Sequence, residues 1–466
     1  MKKLTFFITV FFCLGIGVGN AQYAVLHNFN GADGANPSGT LALSGNKLYG
    51  TTQLGGAKGV GNIFSVNTDG SYYKDLFDFD TANGGNPQGS VILLGNKLFG
   101  ATSENTIFSI DTNGKGFKVL FTFNGINSQG SWPNGALTFS GGKLYGTTIY
   151  GGKYSNDKGM VFCIDTNGKG FKDLLDFNGK NGEFPVGGPL AYSSGVLYGM
   201  TQYGGANDSG CVFSIDTNGN KYKDLFDFNE ANGKRPYATS LVLSGSTLYG
   251  TVTEGGAHDS GCIFSIDTNG SGYTDLFDFN NKSSGIPQSG LMLSGNVLYG
   301  TTFRGGTYHG DCIFSIGANG SNYTDLFDFD GTDGAAPWNM ALISSGNVLY
   351  GTTSYGGTSN RYGVVFKFTY ADLGVNNMPA TSNSINVYPN PSNGVFTIQS
   401  SVVSGQLTVY NVLGEKVYSN YQLANPDSYR ESNYQIDLSS QPNGVYLYRV
   451  ISTGGALIGE GKIVKQ

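Results

Sequence analysis

The 466-residue sequence is poor in charge, histidine and tryptophan: 13% of its residues are Asp, Glu, Lys or Arg, and it holds three His and two Trp. Disordered chains carry high charge and few aromatics, so this low charge beside 13% aromatic residues excludes disorder. Beyond Lys2-Lys3 there is no run of Lys or Arg, and the net charge is −6, which leaves no cationic groove for a nucleic acid. Long apolar runs are lacking too. The stretch from Leu4 to Val18 is shorter than the roughly 20 residues of a membrane-spanning helix. Preceded by two lysines and followed by Gly19-Asn20-Ala21, it reads as a cleaved export signal over residues 1–22, leaving no transmembrane segment. Cys13 follows Phe11-Phe12, where a lipoprotein signal would want small residues, so lipid anchoring is not expected. Helical periodicity is missing throughout. What is abundant is Gly, with 74 copies, beside 31 Phe and 29 Tyr; the Gly-X-Y period of collagen is absent, and a turn-rich β protein with an aromatic core fits both excesses.

The excess has a period. Leu-Tyr-Gly begins at Leu48, Leu144, Leu197, Leu248, Leu298 and Leu349, with the variant Leu98-Phe99-Gly100 between the first two, at spacings of 46 to 53 residues. An aliphatic-Phe pair follows each, from Ile63-Phe64 to Val365-Phe366, and then a Leu-Phe-Asp-Phe segment or a degenerate copy of it. One proline stands 11 or 12 residues before each Leu-Tyr-Gly: Pro37, Pro87, Pro133, Pro185, Pro236, Pro287 and Pro337. Four short aromatic and β-branched segments per unit, separated by turns such as Asp-Thr-Asn-Gly, predict four strands, the blade of a β-propeller. The expected fold is all-β: a seven-bladed propeller of four-stranded blades over residues 23–368. Its phase suits closure, because Tyr23 to Phe29 is a lone fourth strand and Val364 to Phe368 a third, so the first strand can complete the last blade. The Gly-Gly loops and the segments leading to each proline would then share one face. Residues 369–385 read as a linker, and residues 386–466 as a small Ig-like β-sandwich of alternating strands.

The units, of the form LYGTTxxGGxxxxGxIFSIDTNGxxYxxLFDF, resemble the GloVer tandem repeats of exported bacterial proteins, except that Ser103-Glu104-Asn105 replaces the Gly-Gly loop in the second unit. That resemblance implies a class but no activity. The strand order also looks like that of pyrroloquinoline-quinone-type propellers, but their Trp motif is missing and quinone binding is not implied. The tail is similar to the type A sorting domain of the Bacteroidetes type IX secretion system. The matching residues are Tyr388-Pro389-Asn390-Pro391 with Gly394, the Val409 to Gly414 segment, Gly444 and Tyr446 after Pro442-Asn443, and Lys462 and Lys465 at the end. It implies engagement with that machinery, export across the outer membrane, removal of the tail, and a propeller that is released or held on the cell surface.

A catalytic set is hard to assemble. The histidines are His27, His258 and His309; the last two, with Asp259 and Asp311 near them, could ligate a metal but read more simply as solvated loop residues. Cys211, Cys262 and Cys312 recur at one repeat position, too far apart for disulfides, and with Cys163 are expected to be buried free thiols. Asp328, Asp330 and Asp333 suggest a calcium loop, although Asp at these places also serves turns. No other cofactor is expected. The aromatic residues on the long-loop face are more telling: Trp132 and Trp338 flank repeat prolines, and Tyr150, Tyr154, Tyr203, Phe303, Tyr308, Tyr355 and Tyr362 lie in the Gly-Gly loops with Arg235, Arg304 and Arg361. Flat apolar rings beside hydrogen-bonding side chains suit sugars or protein loops. The expectation is a monomeric, non-catalytic module that binds a glycan or a surface protein. The alternatives are a carbohydrate-active lyase or hydrolase using channel carboxylates, for which Glu104, Glu183, Glu230 and Glu254 share no motif, and a purely structural envelope protein.

Overall fold

A computed structural model describes residues 22–370 and 385–465, apart from residues 125–129, 134, 154–156, 186, 238, 281–283, 306–310 and 359–360 in the first stretch and 389–391, 401–404, 412–415, 421–431 and 453–456 in the second. Residues 1–21 of the expected export signal (1–22) and residues 371–384 of the expected linker (369–385) therefore lie outside the described residues.

Each repeat unit forms one antiparallel sheet because its four segments are joined by short turns. After β1 (Gln22–Asn28), the first unit runs β2 (Ala35–Ser44), β3 (Lys47–Leu54), β4 (Asn62–Asn67) and β5 (Lys74–Asp78), in that order across the sheet. The same order recurs in sheets spanning residues 92–122, 138–176, 191–227, 242–278 and 292–328, numbered blades 2 to 6, and in blade 4 a further short strand, Glu183–Pro185, pairs with the Val196–Tyr203 strand. Blade 7 takes three strands from residues 343–369 and its fourth from β1, which pairs antiparallel with Val364–Thr369. The two ends of the propeller thus share one sheet, with the last strand paired on both sides and β1 at the sheet's outer edge.

The repeated residues have a common packing reason. In every blade the Gly of Leu-Tyr-Gly pairs with the Phe of the third strand, as Gly50 does with Phe64 and Gly199 with Phe213. A Cβ at Gly50 would stand 2.6 Å from the Phe64 ring, and at the six equivalent glycines the distance is 2.5–2.7 Å, so glycine is there to let the ring lie across the sheet. Those Phe are fully buried, each contributing about 1.5–3 kcal/mol of burial. Between blades, the outer strand of one stacks on an aromatic of the next. Phe77 on Phe117, Phe121 on Phe171, Phe226 on Tyr273, Phe277 on Tyr323 and Phe327 on Tyr23 have ring centroids 3.8–4.3 Å apart. At the remaining junctions His27 stacks on Tyr73, and Leu175 and Tyr222 pack into one cluster. Tyr49, Phe99, Tyr145, Tyr198, Tyr299 and Tyr350 of Leu-Tyr-Gly are buried, so they are core and not site.

Residues from 373 on form a separate compact unit. Two antiparallel sheets, of three and four strands, enclose Phe396, Leu407, Val409, Ile436, Leu438, Tyr446, Tyr448 and Ile463. Lys465 is buried, and its Nζ donates to the carbonyls of Ser439 (3.0 Å) and Gln441. Gly394 has φ 124°, and a Cβ there would meet Ser439 Cα at 2.9 Å. Gly444 opens the Gly444–Ser452 strand, whose Tyr446 hydroxyl donates to Pro442 O; Lys462 is exposed. The side chain of Tyr388, and Pro389, Asn390, Pro391 and Gly414, lie outside the described residues.

Candidate functional site

The residue before each repeat proline has a left-handed backbone in all seven blades: Asn36, Asn86, Trp132, Phe184, Arg235, Ile286 and Ala336, with φ between 46° and 57°. Asn tolerates that region, whereas bulky side chains occupy it at a cost of about 1–3 kcal/mol. The blade junction imposes it. The Phe184 and Arg235 amides donate to Lys158 O and Ser209 O of the preceding blade's loop, each at 2.9 Å, and the Trp132 amide to Asn105 Oδ1 at 2.6 Å. The carbonyls of Trp132, Arg235, Ile286 and Ala336 accept from their own blade at 2.9–3.4 Å. Backbone is thereby shared while the side chain varies, and in blades 3 to 5 it is Trp, Phe and Arg.

Those three side chains join the Gly-Gly loop tyrosines in one continuous arc. Trp132 lies 5.7 Å from Tyr150, Tyr150 is edge-on to Phe184 at 5.4 Å, Phe184 meets Tyr203 at 6.0 Å, and the Arg235 guanidinium lies 5.0 Å from the Tyr203 ring centroid. Tyr237 and Trp338, each directly after a repeat proline, stack with centroids 6.4 Å apart. Burial first, and then the neighbouring Tyr150 and Tyr203, raises the Tyr237 hydroxyl above its ordinary pKa, which ties this pair to the arc. Trp132 is 41% exposed, Tyr150 37% and Tyr237 38%, so the rings present faces to solvent and are not core. The Nε1 of Trp338 is buried with no hydrogen-bond partner among the described residues. Arg235 Nη1 reaches Glu254 at 3.1 and 3.2 Å, Lys234 lies 3.3 Å from Glu230, 4.0 Å from Glu254 and 3.5 Å from Asp259, and Lys158 pairs with Glu183.

Of the residues expected from sequence, Trp132, Tyr150, Tyr203, Arg235 and Trp338 come together. Tyr355 is 52% exposed on the blade 7 loop, where its backbone pairs with Ala335, and no ring contact among the described residues joins it to the arc. Arg361 is exposed on the same loop, and Phe303 is half-buried, its amide bonded to Ile286 O. The Arg304 side chain, Tyr154, Tyr308 and His309 lie outside the described residues. Phe184 and Tyr237 were missed by sequence reasoning, although comparing the two positions flanking the proline across all seven units would have found them.

A family described as the Gloeobacter/Verrucomicrobia repeat matches residues 12–125, 103–252 and 225–421, and a secretion system C-terminal sorting domain matches residues 386–466. The chain belongs to the Gloeobacter/Verrucomicrobia repeat family. Its last propeller strand ends at Thr369, so the third match runs on into the sorting domain. The sorting domain indicates a protein that engages the type IX secretion machinery and is secreted or displayed on the surface of a Bacteroidetes-type bacterium. No curated protein matches this repeat protein. Among solved structures, it is similar to an oligogalacturonate lyase in complex with manganese (11% identity, 75% of this chain and 93% of that one, TM-score 0.50). It is also similar to an oligogalacturonate lyase from Vibrio parahaemolyticus (10%, 75% and 97%, 0.48) and to the computationally designed Ika8 protein (15%, 74% and 99%, 0.42). At these identities the first likeness shows the propeller fold alone.

The rest of the repeat protein's titratable chemistry serves the blades. In blades 1, 3, 4, 5 and 6 a bulge in the pairing of the third and fourth strands accompanies two Asp three residues apart on the outer strand. The second of each pair holds the Gly-Gly loop in blades 1, 3, 4 and 5: Asp78, Asp176, Asp227 and Asp278 accept from Ala57, Lys153, Ala206 and Ala257 amides at 2.7–2.8 Å. The first is driven up by burial and then by its neighbour's charge, to about 6 at Asp224 and Asp275 and upward at Asp173 and Asp325. Cys163, Cys211, Cys262 and Cys312 are free and buried, and burial pushes the thiols up, to about 12 at Cys211 and Cys312. Of the calcium candidates, Asp330 and Asp333 bond the amides of their own turn, and Asp328 neighbours Asp325. No group of three or more His, Cys, Asp or Glu among the described residues is arranged to hold a metal, and His258 is exposed.

Proposed function

We propose that this exported propeller is a non-catalytic glycan-binding module and that the arc from Trp132 to Arg235 is its binding face. The observation that carries the reading is the unbroken ring-to-ring contact of Trp132, Tyr150, Phe184 and Tyr203 on a solvent face. Such rings present apolar planes to the C–H faces of sugars, and Arg235 and Glu254 beside them supply directed hydrogen bonds. Binding, and not bond cleavage, is favoured because Glu183, Glu230 and Glu254 are each committed to a cation. A glycan array probed with the mature propeller and with Trp132→Ala and Trp338→Ala tests the reading: both variants lose signal if the arc is the site, and unchanged binding in both removes it.

A further inference from the structure

Resting on that reading, we infer that the arc selects a neutral polysaccharide chain and rejects uronic-acid polymers. The inference comes from where the charges around the arc are spent. Three cations adjoin it. Arg235 lies over Tyr203 with Nη1 held by both Glu254 oxygens, at 3.1 and 3.2 Å. Lys234 is 19% exposed and sits among Glu230, Glu254 and Asp259 at 3.3–4.0 Å. Lys158, whose carbonyl anchors the Phe184 amide, is paired with Glu183, and both side chains are less than a fifth exposed. Lys153, on the loop that follows Tyr150, is exposed and enters no ion pair among the described residues.

With Lys153, four positive groups thus face five carboxylates, Glu183, Glu230, Glu254, Asp259 and Asp208, the last close enough to act on Arg235, and the arc's surroundings carry a net negative charge. A polyuronate brings one carboxylate per sugar and would need cations free to meet it; at the arc Arg235, Lys234 and Lys158 are already paired, and the surplus acid repels. A neutral chain needs none of them. It needs apolar planes for its ring faces, which Trp132, Tyr150 and Tyr237 expose, and hydrogen-bonding groups at the side, which the Arg235–Glu254 pair offers.

The test is calorimetric titration of the intact propeller with neutral hexasaccharides (cello-, xylo- and mannohexaose) and with hexagalacturonate, at about 50 mM and about 500 mM salt. Expected are binding of at least one neutral chain, an affinity that moves less than about twofold with salt, and uronate binding at least about tenfold weaker. Preference for the uronate, falling as salt rises, overturns this inference and leaves the glycan reading standing. Binding of no saccharide, neutral or acidic, overturns the glycan reading itself. In Glu254→Gln, which releases Arg235, uronate affinity should rise several-fold; no gain overturns the claim that the ion pairs keep uronates out.

Discussion

His27 lies flat on Tyr73, with ring centroids 3.7 Å apart and planes 6° from parallel, at the junction where β1 seals the propeller against blade 1. Five other junctions use Phe at this place. The imidazole is therefore an aromatic spacer. Burial lowers its pKa below the ordinary 6.5, opposed by Asp33, whose Oδ2 is 3.2 Å from Nε2. The unfolded chain then binds the proton more readily than the folded one, so this group's contribution to stability is full above about pH 6.5 and is lost as the pH falls through that value. His27→Phe should melt above the parent at about pH 5 and differ little at about pH 8, as read by paired thermal denaturation; a difference independent of pH would show that His27 plays no electrostatic part.

The aspartate pairs have the opposite sign. Asp224 and Asp275, raised to about 6, keep a proton in the folded state that the unfolded chain gives up near 3.8. Their contribution is most favourable in acid and declines as the pH rises through about 6, where both members of a pair become charged. Asp224→Asn keeps a hydrogen-bonding group beside Asp227 and removes the repulsion. It is expected to raise the melting temperature at about pH 8 and to lose that advantage near pH 5, since the parent then carries one neutral member itself.

Much of this architecture was readable because a repeat copies its own packing. Leu48, Gly50 and Phe64 each have six counterparts under the same steric demand, so the strands, their order and the sealing role of Tyr23 to Phe29 all followed from recurrence. The arc was readable only where it breaks that recurrence conspicuously, as Trp132 and Trp338 do. Phe184 hid because an aromatic beside a strand proline looks like core, and Tyr237 because nothing in its local sequence shows that it stacks with Trp338 of another blade. The pairing of Arg235 with Glu254 joins side chains of one blade across a turn pattern with no sequence signature.

Gly199 offers a direct check on the packing argument. Gly199→Ala places a methyl group 2.6 Å from Phe213 Cζ and 2.7 Å from Leu190 Cδ2, in a region with no space to yield. Overpacking of this kind costs about 1–3 kcal/mol, measurable as a lower denaturant midpoint with an unchanged slope. Pairing it with Phe213→Leu, which withdraws the ring, should recover part of the loss; full additivity of the two would deny that the glycine exists for the ring.

The pre-proline position separates stability from binding within a single residue. Asn36 and Asn86 occupy in blades 1 and 2 the same left-handed position as Trp132 and Phe184, with φ of 52° and 50° against 57° and 54°. Asn is the residue that the backbone prefers there, so Trp132→Asn and Phe184→Asn remove the rings and relieve strain together. Each is expected to leave the propeller as stable as the parent, or more stable by up to about 1 kcal/mol, while weakening glycan binding by about tenfold or more. Circular dichroism melts beside binding isotherms distinguish the cases. If either variant is destabilised in step with its loss of binding, the ring at that position is holding the blade junction together and not waiting for a ligand.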